Sequence, residues 1–227
     1  MAESPGQSAS YPVVYSVEPK LHDRNRLTTL FRIILAIPHL ILVGGPGFAF
    51  GCAGWIWGPG WHGHGEWGFR WGSSGVLGVV AGVMAIIAWF AILFASTHPR
   101  GLWDFVRFFM SWRARVVSYT ALLRDEYPPF GDGDYPVTYE IAYPDVPRNK
   151  WSVGLRVFYV IPHVIVLFFI GIAWFITAVI AWFAILFTGS YPEGLYQFAV
   201  GYLRWSLRME SYLLLLRDEY PPFSFET

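Results

Sequence analysis

Apolar runs of helical length alternate along this chain with short segments of charged residues and prolines. The run at 164–187 covers 24 residues without a charged side chain, and a similar run occupies 76–96. A run of this length, folded as a helix, can cross the ~30 Å hydrocarbon core of a bilayer. The hydrophobic pattern therefore predicts an all-α integral membrane protein.

The same motifs occur twice along the chain, in the same order. The sequence LLRDEYPPF ends at Phe130 and again at Phe223, and AWFAILF ends at Phe94 and again at Phe187, an offset of 93 residues in both cases. Motifs at the start of each unit, YPV-x-Y and IPH, recur at an offset of 124 residues. So many identities in one order indicate a duplication. The chain divides into a disordered tail at 1–10, a first repeat at 11–130, a linker at 131–134 and a second repeat at 135–227.

An insert rich in glycine and tryptophan distinguishes the first repeat from the second. The two offsets differ by 31 residues, which places the insert at 44–74, opposite Leu167 and Phe168 of the second repeat. A loop cannot interrupt a helix at mid-bilayer, where each exposed backbone group costs several kcal/mol. We therefore predict a hairpin turn near Leu167–Gly171, and two membrane spans per repeat, at 27–43, 76–96, 151–167 and 171–188. An interfacial or re-entrant first helix is the alternative.

Each repeat continues into a third apolar stretch, at 102–123 and at 195–216. In the first of these, polar residues recur every three or four positions, at Asp104, Arg107, Ser111, Arg115 and Ser118. A basic stripe on an aromatic and aliphatic helix is typical of an amphipathic helix in the membrane interface. Arg113 and Glu210 lie off this stripe. The alternating residues that open each repeat predict two short β-strands, which could pair with each other.

Charge placement favours one orientation for both repeats. With two spans and one interfacial helix per repeat, 15 of the 16 basic residues lie on one side, as the positive-inside rule requires. This predicts parallel repeats about an axis along the membrane normal, with both termini cytoplasmic and the insert exterior. The polar first 26 residues lack the features of a signal peptide, so we expect the first span to remain as an anchor.

Composition narrows the function classes. The chain is 55% hydrophobic and only 14% charged, against about 25% charged in soluble domains. Its 16 basic and 16 acidic residues balance, so we expect no nucleic-acid partner. No phosphate-binding glycine loop, Gly-x-Ser-x-Gly, His-Glu-x-x-His or Cys-x-x-Cys motif is present, so we expect neither a cofactor nor enzymatic activity.

The order of the motifs resembles an uncharacterised bacterial membrane-protein family, a domain of unknown function that often occurs in tandem. The motifs are YPVxYxV, IPH, AWFAILF and RDEYPPF, and the resemblance covers nearly the whole chain except the N-terminal tail and the insert. It implies a bacterial membrane location and supplies no catalytic residues. Together with the predicted spans, this leads us to expect a multi-pass protein of the bacterial inner membrane.

Two arginine–histidine pairs are the candidate intramembrane site. Arg32 and His39, like Arg156 and His163, are seven residues apart, so they lie on one helix face about 10 Å apart. Ionisable groups inside a span are candidates for proton relay or anion binding. The structural alternative, which we favour, is that each arginine reaches the interface and each histidine bonds to a neighbouring helix.

Aromatic residues and a charged motif are candidate contacts for lipid or a partner. Tryptophan favours the lipid–water interface, which indicates such contacts for Trp55, Trp57, Trp61, Trp67, Trp71, Trp89 and Trp182. The motif RDEYPPF is either a binding epitope or a cap and tether for the preceding helix, and we favour the cap. Its cytoplasmic residues are Arg124, Asp125, Glu126 and Tyr127 in the first repeat and Arg217, Asp218, Glu219 and Tyr220 in the second.

A metal site is the weakest of these candidates. His62, His64 and Glu66 of the insert could bind a transition metal, but the second repeat has no counterpart. Interfacial tryptophans explain this loop without a metal.

The leading functional hypothesis is a non-enzymatic membrane scaffold or accessory subunit. It would bind lipid and either another membrane protein or further copies of itself. The alternative is a small transporter or channel, with the Arg/His pairs lining a path between the repeats. Lipid-modifying enzymology at the cytoplasmic face is a third hypothesis.

Overall fold

The computed structural model describes residues 11–45, 75–144, 148 and 150–226, which form six helices and one two-stranded sheet. The elements in chain order are β1 (Val13–Val17), α1 (Arg26–Val43), α2 (Gly75–Ala95), α3 (Arg100–Thr120), β2 (Val137–Ile141), α4 (Lys150–Gly154), α5 (Arg156–Thr188) and α6 (Glu193–Leu213). Helices α1, α2 and α5 are long and apolar enough to cross a membrane, which indicates a membrane protein.

The two strands form an antiparallel ribbon, as their alternating residues predict. Tyr15 of β1 lies opposite Tyr139 of β2, and the pairing extends two residues to either side. These tyrosines are buried, and their hydroxyl groups lie 2.7 Å from the hydroxyls of Ser118 and Ser211, on α3 and α6. The opposite face of the ribbon is exposed, because the side chains of a strand alternate between its two faces.

Helices α3 and α6 form the core of the protein. From Phe109 to Tyr119 every residue of α3 except Arg115 is buried, and α6 is buried almost as completely over the corresponding stretch. The ribbon packs on this pair, and so do α1, α2 and α5. Over this stretch neither helix exposes one polar face, as an isolated amphipathic surface helix would, and a position at the membrane interface stays a prediction. Within the polar stripe, Ser118 bonds to Tyr15 of the ribbon and Arg115 donates to the Gly131 carbonyl after the helix.

Helix α5 is continuous from Arg156 to Thr188, so the predicted hairpin turn near Leu167–Gly171 is wrong. One buried stripe runs along the whole helix at intervals of three, four or, once, seven residues: Arg156, Val160, His163, Leu167, Gly171, Trp174, Ala181 and Ile185. A turn at the middle would break this stripe. Gly171 lies within the helix because Tyr202 packs closely against it, leaving about 3.0 Å between the tyrosine oxygen and an added Cβ.

Helices α1 and α2 lie end to end, as two halves of one helix that the insert interrupts. Gly75, at φ +65°, packs against the backbone of Leu42 and Gly44, where a Cβ atom would lie 2.5 Å from backbone atoms. The buried stripe of α1 passes without a change of register into that of α2, and from Arg32 to Ile92 most of its positions match the buried stripe of α5. The predicted bounds 27–43 and 76–96 agree with α1 and α2, but the two helices do not form the predicted hairpin, and the predicted division at 167–171 is absent from α5.

Two tryptophan bonds establish the direction of these helices. The Trp182 indole donates to the Thr29 carbonyl at 3.1 Å, and the Trp89 indole donates to the Val153 carbonyl at 3.0 Å. Val153 and Trp182 lie about 40 Å apart along α4 and α5, at 1.5 Å per residue. We call α1 with α2 the first helical line and α4 with α5 the second helical line. The two helical lines therefore run antiparallel to each other. The predicted parallel repeats of spanning helices do not fit this geometry.

Candidate functional site

A buried ionic cluster connects the start of α1 to the segment after α3. Asp125 accepts from two arginines, with 2.7 Å to the Arg32 guanidinium and 3.0 Å to that of Arg24. Arg32 also donates to the carbonyls of Tyr119 and Arg124, at 2.8 and 2.7 Å, and lies over the Tyr119 ring. Both arginine side chains are almost fully buried. The first predicted Arg/His pair is thus joined to the RDEYPPF motif.

The second half of the chain contains the same cluster. Asp218 accepts from Arg148 at 2.9 Å and from Arg156 at 2.5 Å. Arg156 also donates to the carbonyls of Tyr212 and Arg217, and its guanidinium lies 4.2 Å from the centre of the Tyr212 ring. The two clusters differ in exposure, since the Asp218 side chain is 23% exposed and that of Asp125 is 7% exposed.

A left-handed turn at the end of each core helix supplies carbonyl acceptors to these clusters. Leu122 and Leu215 have φ values of 66° and 65°, a conformation that is uncommon for a residue other than glycine. Their carbonyls accept from Arg24 and Arg148, respectively. Burial lowers the pKa of both guanidinium groups from its ordinary value, and the adjacent aspartate opposes this shift. The arrangement offsets local backbone strain with charge-assisted hydrogen bonds.

The remaining charges of the motif form ion pairs near the surface. Glu126 accepts two bonds of 3.0 Å from the Arg124 guanidinium and one of 3.3 Å from Lys20. Burial acts to raise the pKa of Glu126, but hydrogen bonds from its own backbone amide and from Arg124 prevail and lower it to about 2. Arg217 and Glu219 form the corresponding pair at 2.6 Å. The motif therefore caps and tethers the core helix, the interpretation that its position in the sequence favours.

Each histidine of the predicted pairs is enclosed by aromatic rings. His39 accepts from the Trp112 indole at 3.2 Å, and its ring stacks on Phe130 with a centroid separation of 4.2 Å. His163 accepts from the Trp205 indole at 3.1 Å and stacks on Phe223 at 3.9 Å. Both histidines are fully buried. The last residue of each RDEYPPF motif, Phe130 or Phe223, thus stacks on the ring of the buried histidine.

The two Arg/His pairs do not meet. Arg32 and Arg156 occupy equivalent positions on antiparallel helical lines, which separates them by about 35 Å along the helix direction at 1.5 Å per residue. Each arginine already binds two carbonyls and a carboxylate. This geometry does not line a common path, and it supports the structural interpretation of both pairs.

The tryptophans that the sequence assigns to lipid or partner contact have a further role where the structure describes them. The indole groups of Trp89 and Trp182 donate bonds that join the long helices, and their rings are partly exposed, so contact with lipid or a partner stays a prediction for both. Trp55, Trp57, Trp61, Trp67 and Trp71 lie outside the described residues, as do the metal candidates His62, His64 and Glu66.

Sequence reasoning missed one buried ion pair. The Arg113 guanidinium contacts the Glu210 carboxylate at 2.6 and 3.0 Å and also donates to the Val43 carbonyl at 2.8 Å. Val43 is the last residue of α1, where the interruption leaves carbonyls without helical partners. Ser206 and Val117 occupy the equivalent positions, beside the uninterrupted α5. The position of Arg113 and Glu210 off the polar stripe was the available signal.

Comparison with known proteins gives one family. A family model described as a domain of unknown function, DUF4389, matches residues 71–131 and 150–224. No curated protein and no solved structure matches this chain. The second matched segment contains α4, α5 and α6 without a break, whereas the first begins just before α2, after the interruption.

Proposed function

We propose that this chain, which belongs to the DUF4389 family, is a non-enzymatic membrane scaffold embedded in lipid through its three apolar helices. The observation that carries the proposal is that the long helices expose apolar side chains, whereas the charged side chains between their ends are buried. The exposed positions of α1, α2 and α5 between their ends carry apolar or aromatic side chains, including Ile33, Phe94 and Phe169 at 76%, 82% and 65% exposure. Apart from Arg26, the exposed first residue of α1, the charged side chains in these helices are Arg32 and Arg156, and both are buried in the protein.

The surface of these helices matches the requirements of lipid contact. A soluble monomer rarely exposes a contiguous apolar patch of more than a few hundred Å². The exposed residues of α5 alone extend from Val157 to Phe187, about 45 Å at 1.5 Å per residue. Such a face is stable in hydrocarbon, where the helix satisfies its own backbone groups.

Recurring contacts support a duplicated unit. The bonds of Tyr15 to Ser118 and of Tyr139 to Ser211 repeat at the offsets that the motifs show, 124 residues for the strands and 93 for the core helices. The ionic clusters, the histidine covers and the tryptophan bonds repeat in the same way. These groups are the polar residues that a catalytic or transport site would need, and both copies use them for internal bonding.

The scaffold hypothesis predicts a retained membrane component. Purification from bacterial inner membranes in a mild detergent is expected to yield the protein with stoichiometric lipid, with another membrane protein or as a homo-oligomer, as native mass spectrometry would show. A solitary, lipid-free monomer would contradict the proposal. The alternative, a transporter, predicts flux in liposomes that a His39→Gln, His163→Gln variant reduces. A conserved elution profile would show that this variant remains folded.

A further inference from the structure

The mutual direction of the long helices restricts how the protein lies in a membrane. Thr29 lies beside Trp182, and Val153 lies beside Trp89. The backbone repeats this relation, since the Arg24 amide donates to the Gly189 carbonyl at 3.0 Å and the Arg148 amide to the Ser96 carbonyl at 3.3 Å. Each end of one helical line is thus joined to the opposite end of the other. When each residue is replaced by its counterpart in the other repeat, each of these contacts becomes the other contact of its pair.

This exchange defines an approximate two-fold axis perpendicular to the long helices. Tyr15 lies directly opposite Tyr139, its own counterpart at an offset of 124 residues, so the axis passes through the centre of the ribbon. Along the helices the axis crosses the midpoint between Thr29 and Trp89. That midpoint is the junction of α1 and α2, because each of these residues is 14 positions from it. The ribbon is therefore level with the middle of the long helices.

Helices that cross the bilayer would place this ribbon at the bilayer centre. In the part of the chain that the structure describes, no further strand pairs with either edge of the ribbon, and its outer face exposes Ser16, Thr138 and Glu140. Each unsatisfied backbone group in hydrocarbon costs several kcal/mol, and open sheet edges do not occur there. An exposed carboxylate adds a further cost. The crossing arrangement is accordingly unfavourable for a single copy of the chain.

Helices that lie along the bilayer avoid this cost. We propose, on the basis of the membrane embedding argued above, that α1, α2 and α5 lie within one leaflet, parallel to the membrane plane, with the ribbon on the aqueous side. The ribbon and the long helices pack on the same central pair, α3 and α6, so the ribbon can face water while the apolar helices face acyl chains. One leaflet offers about 15 Å of hydrocarbon, enough for a helix about 10 Å wide.

Length and charge support the same placement. Helix α5 alone has 33 residues, or about 50 Å, well beyond the ~30 Å hydrocarbon thickness. The cluster around Asp125 and the cluster around Asp218 lie near opposite ends of the long helices. Crossing helices would put one basic cluster on each side of the membrane. Helices along the leaflet put both at one surface, as the positive-inside rule favours.

Cysteine accessibility distinguishes these placements. In a Cys52→Ser background, which removes the single cysteine, we would introduce Gly101→Cys or Gly194→Cys. These glycines hold equivalent positions at the starts of α3 and α6, near opposite ends of the long helices, and an added Cβ at either meets no atom within 4 Å. A membrane-impermeant maleimide is expected to label both in inverted vesicles and neither in intact spheroplasts. Thr138→Cys on the ribbon is expected to follow the same pattern.

Each other result has a defined meaning. Labelling of Gly101→Cys and Gly194→Cys from opposite sides, with an unreactive Thr138→Cys, would overturn the in-plane placement and leave the scaffold proposal intact. Recovery of the protein in the soluble fraction would overturn both. Matching elution profiles of the variants and the parent would establish that all are folded.

Depth measurements along α5 give an independent test. Nitroxide labels at Ile161, Phe169 and Ile180, which are about half exposed or more, cover about 28 Å of helix at 1.5 Å per residue. In reconstituted vesicles, the ratio of oxygen to nickel-chelate accessibility is expected to be similar at the three sites. A ratio several-fold higher at Phe169 than at the other two sites would indicate a crossing helix and contradict the proposal.

Discussion

The ion pair of Arg113 and Glu210 offers the sharpest test of the interrupted helix. The two side chains are only 6% and 11% exposed, and the pair connects α3 and α6 while its arginine binds the last carbonyl of α1. Replacing Arg113 by methionine would leave the Glu210 carboxylate buried and unpaired. Removal of one partner from a buried pair typically costs 3–5 kcal/mol of folding free energy. The reverse single variant, Glu210→Leu, is expected to be similarly destabilising.

The double variant Arg113→Met, Glu210→Leu is expected to recover part of this loss. Replacement of a buried pair by apolar residues of similar volume is often neutral or stabilising. The Val43 carbonyl would still lack its donor, which costs about 1–3 kcal/mol. For a chain of this length 1 kcal/mol corresponds to about 2–4 °C in Tm, so each single variant is expected to lose about 6–20 °C and the double variant about 2–12 °C.

The measurement is the fraction of monodisperse protein that remains after heating in detergent, read by size-exclusion chromatography. Glu219→Gln is a matched control, because its pair with Arg217 is half exposed and such pairs contribute about 0–1 kcal/mol. A single variant that loses no more than this control would refute the structural role of the pair. Losses that add up in the double variant would show that the two residues are not coupled.

Deletion of residues 44–74 would join Val43 to Gly75 in the register of α5, and we expect the variant to fold. In this variant Arg113→Met should reduce thermal stability by less than it does in the full chain, because the helix is no longer interrupted. Trp89→Phe and Trp182→Phe each remove one indole bond, so each is expected to lose about 1 kcal/mol, and strongly unequal Tm losses would argue against equivalent ends. The pKa of Glu126 is depressed to about 2. The stability that this carboxylate contributes is fully present above its unfolded pKa, near 4.3, and is lost as the pH falls towards 2. Glu126→Gln should therefore flatten the decrease of Tm at acid pH.

The local features of the fold follow from the sequence. Alternation at the start of each repeat predicts both strands and their pairing, because period-two patterns specify which face of a strand is buried. The spacing of Arg32 and His39 places both on one helix face, and the structure buries them together. Position after a helix and two consecutive prolines suffice to predict that RDEYPPF ends and tethers α3 and α6.

The partners of these elements do not follow from the sequence. A hydrophobic period identifies the buried face of a helix but not the element that covers it. The aromatic and basic composition of α3 fits a membrane interface as well as a protein core, and only the contacts with the ribbon separate the two. The left-handed backbone at Leu122 and Leu215 also lacks a local signal, because leucine rarely adopts it without tertiary support such as the bonds from Arg24 and Arg148.

The hairpin prediction is wrong because of an assumption about how the long helix lies in the membrane. The hairpin prediction assumes that a helix of 24 apolar residues crosses the bilayer, and from this it follows that an insert at the middle must mark a turn. The structure retains the helix and interrupts it at the same point, with α1 and α2 in line. A helix along one leaflet removes the conflict, because its midpoint lies at the same depth as its ends and a chain leaving there needs only to pass the nearer headgroup layer. The insert and the ribbon, which are level along the helix, thus lead to the same orientation from independent starting points.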